Sequence, residues 1–386
     1  MTESSDRMSA GPSARRPGHI YLHIPFCARR CSYCDFAIAV RKVVPVEEFL
    51  VSVERELDLR FAGGESWPVK TLYFGGGTPS RLGADGIRRL MRLFQSRVDL
   101  APGAEITLET NPDDVTPADA EAWRASGINR ISLGAQSFDD RALQWMHRVH
   151  DSSAIPRSFE VLRAAGFDDI SLDLIFSLPE ELKRDWQADL ARAVALEPTH
   201  VSLYGLTVES HAPLGRWISR GETIEAPEES YESEFLAAHA TLTAAGYEHY
   251  EVSNFAKPGR RARHNFAYWL GVPYAGLGPG AHEFAPPIRR WNVGSYVEWV
   301  RRLEQGTDPM EGSEELSDAN RAAETVYLGL RTVDGLEIDP AERLHVQAWV
   351  NAGWARLVGS RLQLTALGWL RLDSLAADLT LLRSRC

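Results

Sequence analysis

The chain has 386 residues, 44% hydrophobic and 25% charged, a balance ordinary for a soluble globular protein and long enough for one large domain with a smaller one. Its formal charge of −11, from 42 basic and 53 acidic residues, argues against nonspecific binding to nucleic acid or to an anionic membrane. Residues 1–17 are polar without an apolar core, which excludes a signal peptide and predicts a disordered tail; no later stretch is apolar for long enough to span a bilayer, so a cytoplasmic location is expected.

The first predicted strand, His19–Ile24, runs into the segment His23-Ile-Pro-Phe-Cys-Ala-Arg-Arg-Cys-Ser-Tyr-Cys-Asp-Phe36. Its C-x3-C-x2-C run holds Cys27, Cys31 and Cys34, three of the four cysteines in the chain. A disulfide would leave an odd thiol, and close-spaced cysteines in an intracellular chain bind metal or do redox work more often. Zinc would need a fourth ligand nearby, which His23 could supply. Three thiolates without a fourth suit an iron–sulfur cluster with one iron left open. Cys386, at the chain end, is not counted as a ligand.

Further short apolar runs at Thr71–Phe74, Glu105–Glu109, Arg130–Leu133, Ile170–Phe176 and His200–Tyr204 predict strands. Helical spacing predicts helices over Val46–Phe61, Ala84–Phe94, Pro117–Ser126, Ile155–Ala165 and Leu182–Leu196. Thr116-Pro117 reads as a helix start, and Gly127 and Gly166 as helix stops. Six strand–helix units imply a parallel sheet and a partial (β/α)6 barrel rather than a closed eight-stranded one. Active sites of such sheets lie at the carboxyl ends of the strands. The cysteine loop, Gly75-Gly-Gly-Thr-Pro-Ser80, Glu109-Thr-Asn-Pro112, Gln136-Ser-Phe138 and Asp173 are all expected there, around one mouth.

A second region, 214–307, carries Tyr247–Phe255, His264-Asn-Phe-Ala-Tyr-Trp269 and Gly276-Leu-Gly-Pro-Gly-Ala-His282. The acidic, turn-rich stretch 308–317 is expected to be a linker between a first domain from residue 18 (barrel 18–213 with its extension) and a C-terminal unit, 318–386. That unit is expected to be small, mostly helical and winged-helix-like, with two helices and a short strand pair, ending at Leu362–Leu372; the acidic balance favours a packing or lid role over DNA binding.

On the phrase Tyr21-Leu-His-Ile-Pro-Phe-Cys27 and the cysteine spacing, the chain resembles the radical S-adenosylmethionine (SAM) superfamily, and within it the HemN/HemW group of oxygen-independent coproporphyrinogen oxidases and their heme-chaperone relatives. The resemblance runs from about Gly18 to the C-terminus. It implies an α/β partial barrel, a 4Fe–4S cluster on Cys27, Cys31 and Cys34, and SAM bound to the open iron, where one electron cleaves it to a 5′-deoxyadenosyl radical. By the same resemblance Gly76, Gly77 and Thr78 meet the amino group of SAM, Glu109 is a contact, Gln136 and Asp173 face the ribose, and Arg148 pairs with the carboxylate, a task suited to a guanidinium fork. Tyr21 and Tyr33 flank the cluster as contacts, and Gly205 admits the adenine.

The oxidases of the group carry a fourth cysteine two positions after the third, where this chain has Phe36, and they begin with a longer N-terminal segment. Both departures point to the heme-chaperone branch. There the HN-x-x-Y-W pattern of His264, Asn265, Tyr268 and Trp269 is associated with heme, with His264 as the candidate axial ligand. The expectation is a protein that binds a cluster, SAM and heme and passes heme to an acceptor hemoprotein, membrane respiratory proteins included, as a monomer or homodimer. Radical decarboxylation of coproporphyrinogen III and a noncatalytic, cluster-dependent interaction module are the alternatives. Whether SAM is cleaved stays open.

Overall fold

The computed structural model describes residues 17–61 and 67–384; the predicted disordered tail, apart from Pro17, and Cys386 lie outside them. The six predicted strands are present as β1 (His19–Ile24), β2 (Pro68–Gly76), β3 (Asp99–Thr110), β4 (Arg130–Gln136), β5 (Ile170–Phe176) and β6 (His200–Gly205). They pair in chain order, every neighbour parallel. Each parallel step needs a crossover, and α1 (Val46–Arg60), α2 (Gly83–Gln95), α3 (Pro117–Ala125), α4 (Asp140–Trp145), α5 (Ala154–Ala164) and α6 (Trp186–Ala195) supply them. The Thr116 hydroxyl accepts from the Asp119 amide to cap α3, as its Thr-Pro start predicts. Helix α6 starts four residues later than expected. The Glu180–Leu182 turn ends in left-handed Lys183, and Asp185 then caps the helix.

The sheet is nine-stranded. Past β6 lie β7 (Glu248–Glu251) and β8 (Asn254–Ala256), with β8 antiparallel to β6. On the opposite edge, β9 (Ala275–Leu277) runs parallel to β1, bringing the Gly276–His282 motif beside the cysteine segment. The sheet therefore ends in two different edges and forms a partial barrel. Its core is apolar side chains alternating along the strands, such as Ile20, Leu22, Leu72, Phe74, Leu108, Ile131 and Leu172, covered by Phe49, Val53, Leu90, Phe94 and Phe159 of the helices.

The segment 308–317, expected as a linker, instead carries a strand, β12 (Met310–Glu315), in a three-stranded sheet with β10 (His282–Ala285) and β11 (Ile288–Asn292). Two of its acidic side chains pair with arginines of β11: Arg289 reaches Glu314 at 3.3 Å, and Arg290 reaches Asp308 at 2.6 Å. Beyond it, Asp318–Arg331, Arg343–Asn351, Ala366–Trp369 and Leu372–Arg383 are helical, and Leu336–Glu337, Ala355–Val358 and Arg361–Leu364 form a small antiparallel sheet. The expectation of two helices and one strand pair was thus too small. The stretch Leu362–Leu372 is a strand and a helical turn that lead into the last helix. Among the described residues no helix is long and apolar enough to cross a membrane.

Candidate cluster and ligand site

The cysteine loop is an excursion between two short paired segments. Phe26–Cys27 pairs parallel with Ala39–Val40, so residues 28–38 bulge outward over the strand ends. Two backbone bonds pin the bulge, Ser32 N–H to Met146 O at 3.2 Å and Leu214 N–H to Ser32 O at 2.8 Å. The Arg29 side chain adds 2.5 Å bonds to the carbonyls of His147 and Arg148. All three cysteines are half-buried and free, and they line one cavity of about 460 Å3.

That cavity gathers most of the residues expected around one mouth. Tyr33, Gly76, Gly77, Thr78, Glu109, Gln136, Arg148, Asp173 and Gly205 all face it. Strand geometry explains the convergence, because Gly76, Glu109, Gln136 and Gly205 stand at or near the carboxyl end of a parallel strand, while Asp173 reaches the cavity from the middle of β5. Backbone strain marks the same rim. Gln136 (φ 69°), His147 (φ 60°) and Ser177 (φ 59°) adopt left-handed conformations that side-chain-bearing residues avoid.

The glycine turn has a packing reason beside any ligand. A Cβ on Gly77 would lie 2.6 Å from Pro25 O and 2.9 Å from Cys27 Sγ, so the bare backbone is what lets the cysteine loop close down. At Gly205, which lines the cavity, an added Cβ would lie 2.4 Å from the Tyr231 ring, so the bare backbone there also has a packing reason.

Arg148 is half-buried in the cavity wall. Its guanidinium donates to Gly134 O at 2.8 Å, to Asn111 Oδ1 at 2.5 Å and to Cys31 Sγ at 3.6 Å, while its buried Nε has no hydrogen-bond partner among the described residues. Asn111 also donates to Thr78 Oγ1 at 3.2 Å, and Thr78 Oγ1 lies 3.7 Å from Cys27 Sγ. A cation and a hydroxyl therefore back two of the three sulfurs. Burial pushes the Cys27 thiol up and Cys34 to about 11, so metal binding here must displace protons.

Glu109 accepts from Tyr73 O–H at 2.7 Å and from Gly76 N–H at 3.0 Å. Burial raises its carboxyl to about 7 in spite of those bonds, with the Asp173 charge adding to the effect. Burial also raises Asp173, which accepts from Ser132 O–H at 2.9 Å. Asn111, Tyr73 and Ser132 were not singled out from sequence. Asn111 stood inside the quoted strand-end motif, and strand alternation placed Tyr73 on the inward face, two residues before Gly75.

Three expected residues fall elsewhere. Tyr21 does not line this cavity: its hydroxyl is 3.0 Å from His23 Nδ1, and its ring faces Tyr73 and His264. His23, the possible zinc ligand, has both ring nitrogens engaged, the second by Ala37 O at 2.9 Å. His264 is 1% exposed, with Nδ1 at 2.7 Å from Thr71 Oγ1 and Nε2 at 2.8 Å from Tyr268 O–H. It is the second residue of the helix Arg263–Trp269, whose first amides, those of Arg263 and His264, both donate to Glu105 at 2.9 Å. Both ring nitrogens of His264 are hydrogen-bonded within the protein here, so a bond to iron would have to displace Thr71 or Tyr268.

A second cavity, of about 1210 Å3, opens on the other side of the cysteine loop, under the last helix. Tyr21, Tyr268 and Trp269 line it; His264 and Asn265 do not. Phe36, 60% exposed, borders both cavities.

Residues 21–193 match the model of the radical SAM superfamily. The chain is 36% identical over 374 residues to the heme chaperone HemW of Mycobacterium tuberculosis strain H37Rv, covering 95% of this chain and 96% of the relative. It is also 36% identical to HemW of Escherichia coli K12 over 267 residues, 69% of this chain and 70% of that one. Among solved structures, coproporphyrinogen III oxidase (HemN) of Escherichia coli superposes with a TM-score of 0.78 at 22% identity, covering 93% of this chain and 89% of that one, a likeness of fold. With its thiol loop at the strand ends of a partial barrel and this identity over nearly its whole length, the chain belongs to the HemW family of the radical SAM superfamily.

Proposed function

We propose that this protein is a heme chaperone that holds a 4Fe–4S cluster and SAM in the smaller cavity, binds heme, and hands it to an acceptor hemoprotein. The identity to curated heme chaperones over 95% of the chain carries the reading. The donor set fits the cluster: three thiols on one wall, a guanidinium on Cys31, and a glycine backbone that lets Cys27 close in. A cluster held by Cys27, Cys31 and Cys34 would supply one-electron reduction to bound SAM.

The chain's own residues do the rest. The unpartnered Nε of Arg148 is the donor left for a carboxylate, and Glu109 is the acceptor for an ammonium group beside Gly76, Gly77 and Thr78. Tyr33, Gln136, Asp173 and Gly205 complete the walls around the nucleoside. A carboxyl near 7 pairs with an ammonium only once it is ionised. SAM affinity should therefore fall as pH drops below about 7, by at most about tenfold per unit. Glu109→Gln should flatten that profile and bind weakly throughout. Equilibrium dialysis of the reconstituted protein between pH 6 and 8 reads this; a profile unchanged by the substitution would remove Glu109 from the ammonium site.

Phe36, at the position of the oxidases' fourth cysteine, sets the functional test. Anaerobically reconstituted protein given coproporphyrinogen III, SAM and a reductant should yield no protoporphyrinogen by mass, while the same preparation binds hemin. Formation of protoporphyrinogen would replace the chaperone reading with the oxidase reaction.

A further inference from the structure

Asn111 stands between the two groups that back the sulfurs of Cys27 and Cys31. It leaves the end of β3 and precedes Pro112, which holds it extended at φ −97° and ψ 154°. From there its side chain reaches the wall of the thiol cavity. Its Oδ1 accepts from Arg148 Nη2 at 2.5 Å, and its Nδ2 donates to Thr78 Oγ1 at 3.2 Å. The next strand leaves room for this contact. A Cβ on Gly134 would lie 3.1 Å from Asn111 Oδ1 and 3.3 Å from Arg148 Nη2, and Gly134 O takes a second bond from that nitrogen at 2.8 Å.

The direction of these bonds is fixed by chemistry. A guanidinium has donors only, so the amide must turn its oxygen to Arg148 and its NH2 to Thr78. The Thr78 hydroxyl then accepts from Asn111 and keeps its one proton to give. Thr78 is 4% exposed, and Cys27 Sγ lies 3.7 Å from its oxygen. On the other side, Arg148 Nη1 donates to Cys31 Sγ at 3.6 Å. One neutral amide thus sets the polarity of both hydrogen bonds and points both at sulfur.

We propose that Asn111 is a positioning residue that aims Arg148 at the sulfur of Cys31 and the Thr78 hydroxyl at that of Cys27, and so raises the reduction potential of the cluster held there. The assignment rests on the cluster-and-SAM reading above. Donors to cluster-bound thiolates stabilise the reduced, more negative state, and outer hydrogen bonds of this kind tune a metal site without touching it. The same bond from Asn111 fixes the guanidinium whose Nε is left for the SAM carboxylate.

The test uses full-length protein reconstituted anaerobically. Iron and sulfide content, the midpoint potential from a redox titration followed by electron paramagnetic resonance, and SAM affinity by equilibrium dialysis are the readouts. Asn111→Ala should hold a full cluster whose potential is more negative by about 59 mV or more, a tenfold change in the one-electron equilibrium. It should also bind SAM about tenfold more weakly. A merely structural amide would leave the potential of an intact cluster where it was. Asn111→Asp keeps an acceptor for Arg148, loses the donor to Thr78 and adds a negative charge, so its potential should be lower still. It also reads the potential if Asn111→Ala assembles no cluster. Full clusters at the wild-type potential in both variants would overturn the role of Asn111 and leave the cluster-and-SAM reading intact. Clusters lost from both variants would make the amide structural and overturn it too. A wild type that assembles no cluster would overturn that reading and the assignment with it.

Discussion

Cys31→Ser is expected to abolish the charge-transfer absorbance of the reconstituted cluster and the SAM-dependent change in its electron paramagnetic resonance signal. A cubane with three protein thiolates has no spare protein ligand, and a serine hydroxyl is far harder to ionise than a thiol. Cys31 is also the sulfur that takes the Arg148 bond, at 3.6 Å, so its loss frees the guanidinium that we place at the SAM carboxylate. Misfolding should not be the cause. Cys31 is only half-buried, and the loop is held by the backbone bonds of Ser32, not by the thiol. The measurement is iron and sulfide content alongside the spectra and circular dichroism. A full complement of iron and sulfide in Cys31→Ser would refute the three-cysteine site.

Glu56→Ala should be the most damaging substitution away from the cysteines. Glu56 is 0% exposed on α1 and gathers four donors: Gly278 N–H at 2.8 Å, Asn292 Nδ2 at 2.6 Å, Trp299 Nε1 at 3.1 Å, and the Arg60 guanidinium at 3.5 Å. Arg60 is itself buried; it bonds Gly276 O at 2.5 Å and pairs with Glu283. Removing the carboxylate leaves three neutral donors short of an acceptor and takes from buried Arg60 one of its two carboxylate partners, for which about 3–5 kcal/mol is the expected cost. The anchor holds both ends of the Gly276–Glu283 segment, so that turn should loosen as stability falls. Glu56→Gln keeps an acceptor oxygen and should do less harm. Anaerobic urea unfolding checks this, and a loss under about 1 kcal/mol would show that the network is dispensable.

The legible parts of this chain were the local ones. Strands β1 to β6 announced themselves through short apolar runs, and their carboxyl ends could be named in advance because every parallel strand in such a sheet points the same way. The cysteine spacing named its loop. The acidic segment 308–317 was misread because its charges looked like solvated turn residues, whereas Arg289 and Arg290, some twenty residues earlier, face them across a strand pair.

Sequence by itself determined the parallel sheet, the thiol loop, the residues clustered at the mouth and the family resemblance, since each rests on periodicity or spacing within a few tens of residues. Only tertiary structure decided which side of the cysteine loop each aromatic and histidine serves. Tyr21 and Tyr33 flank the same thiols yet line different cavities, His264 is sealed under Thr71 and Tyr268, and His282 stands open. The physical reason is that burial and hydrogen-bond satisfaction of a side chain depend on partners brought in by long-range pairing. Here the three-residue strand β9 docks on β1 more than 250 residues away and brings the Gly276–His282 turn with it. No periodicity in a segment that short carries that information.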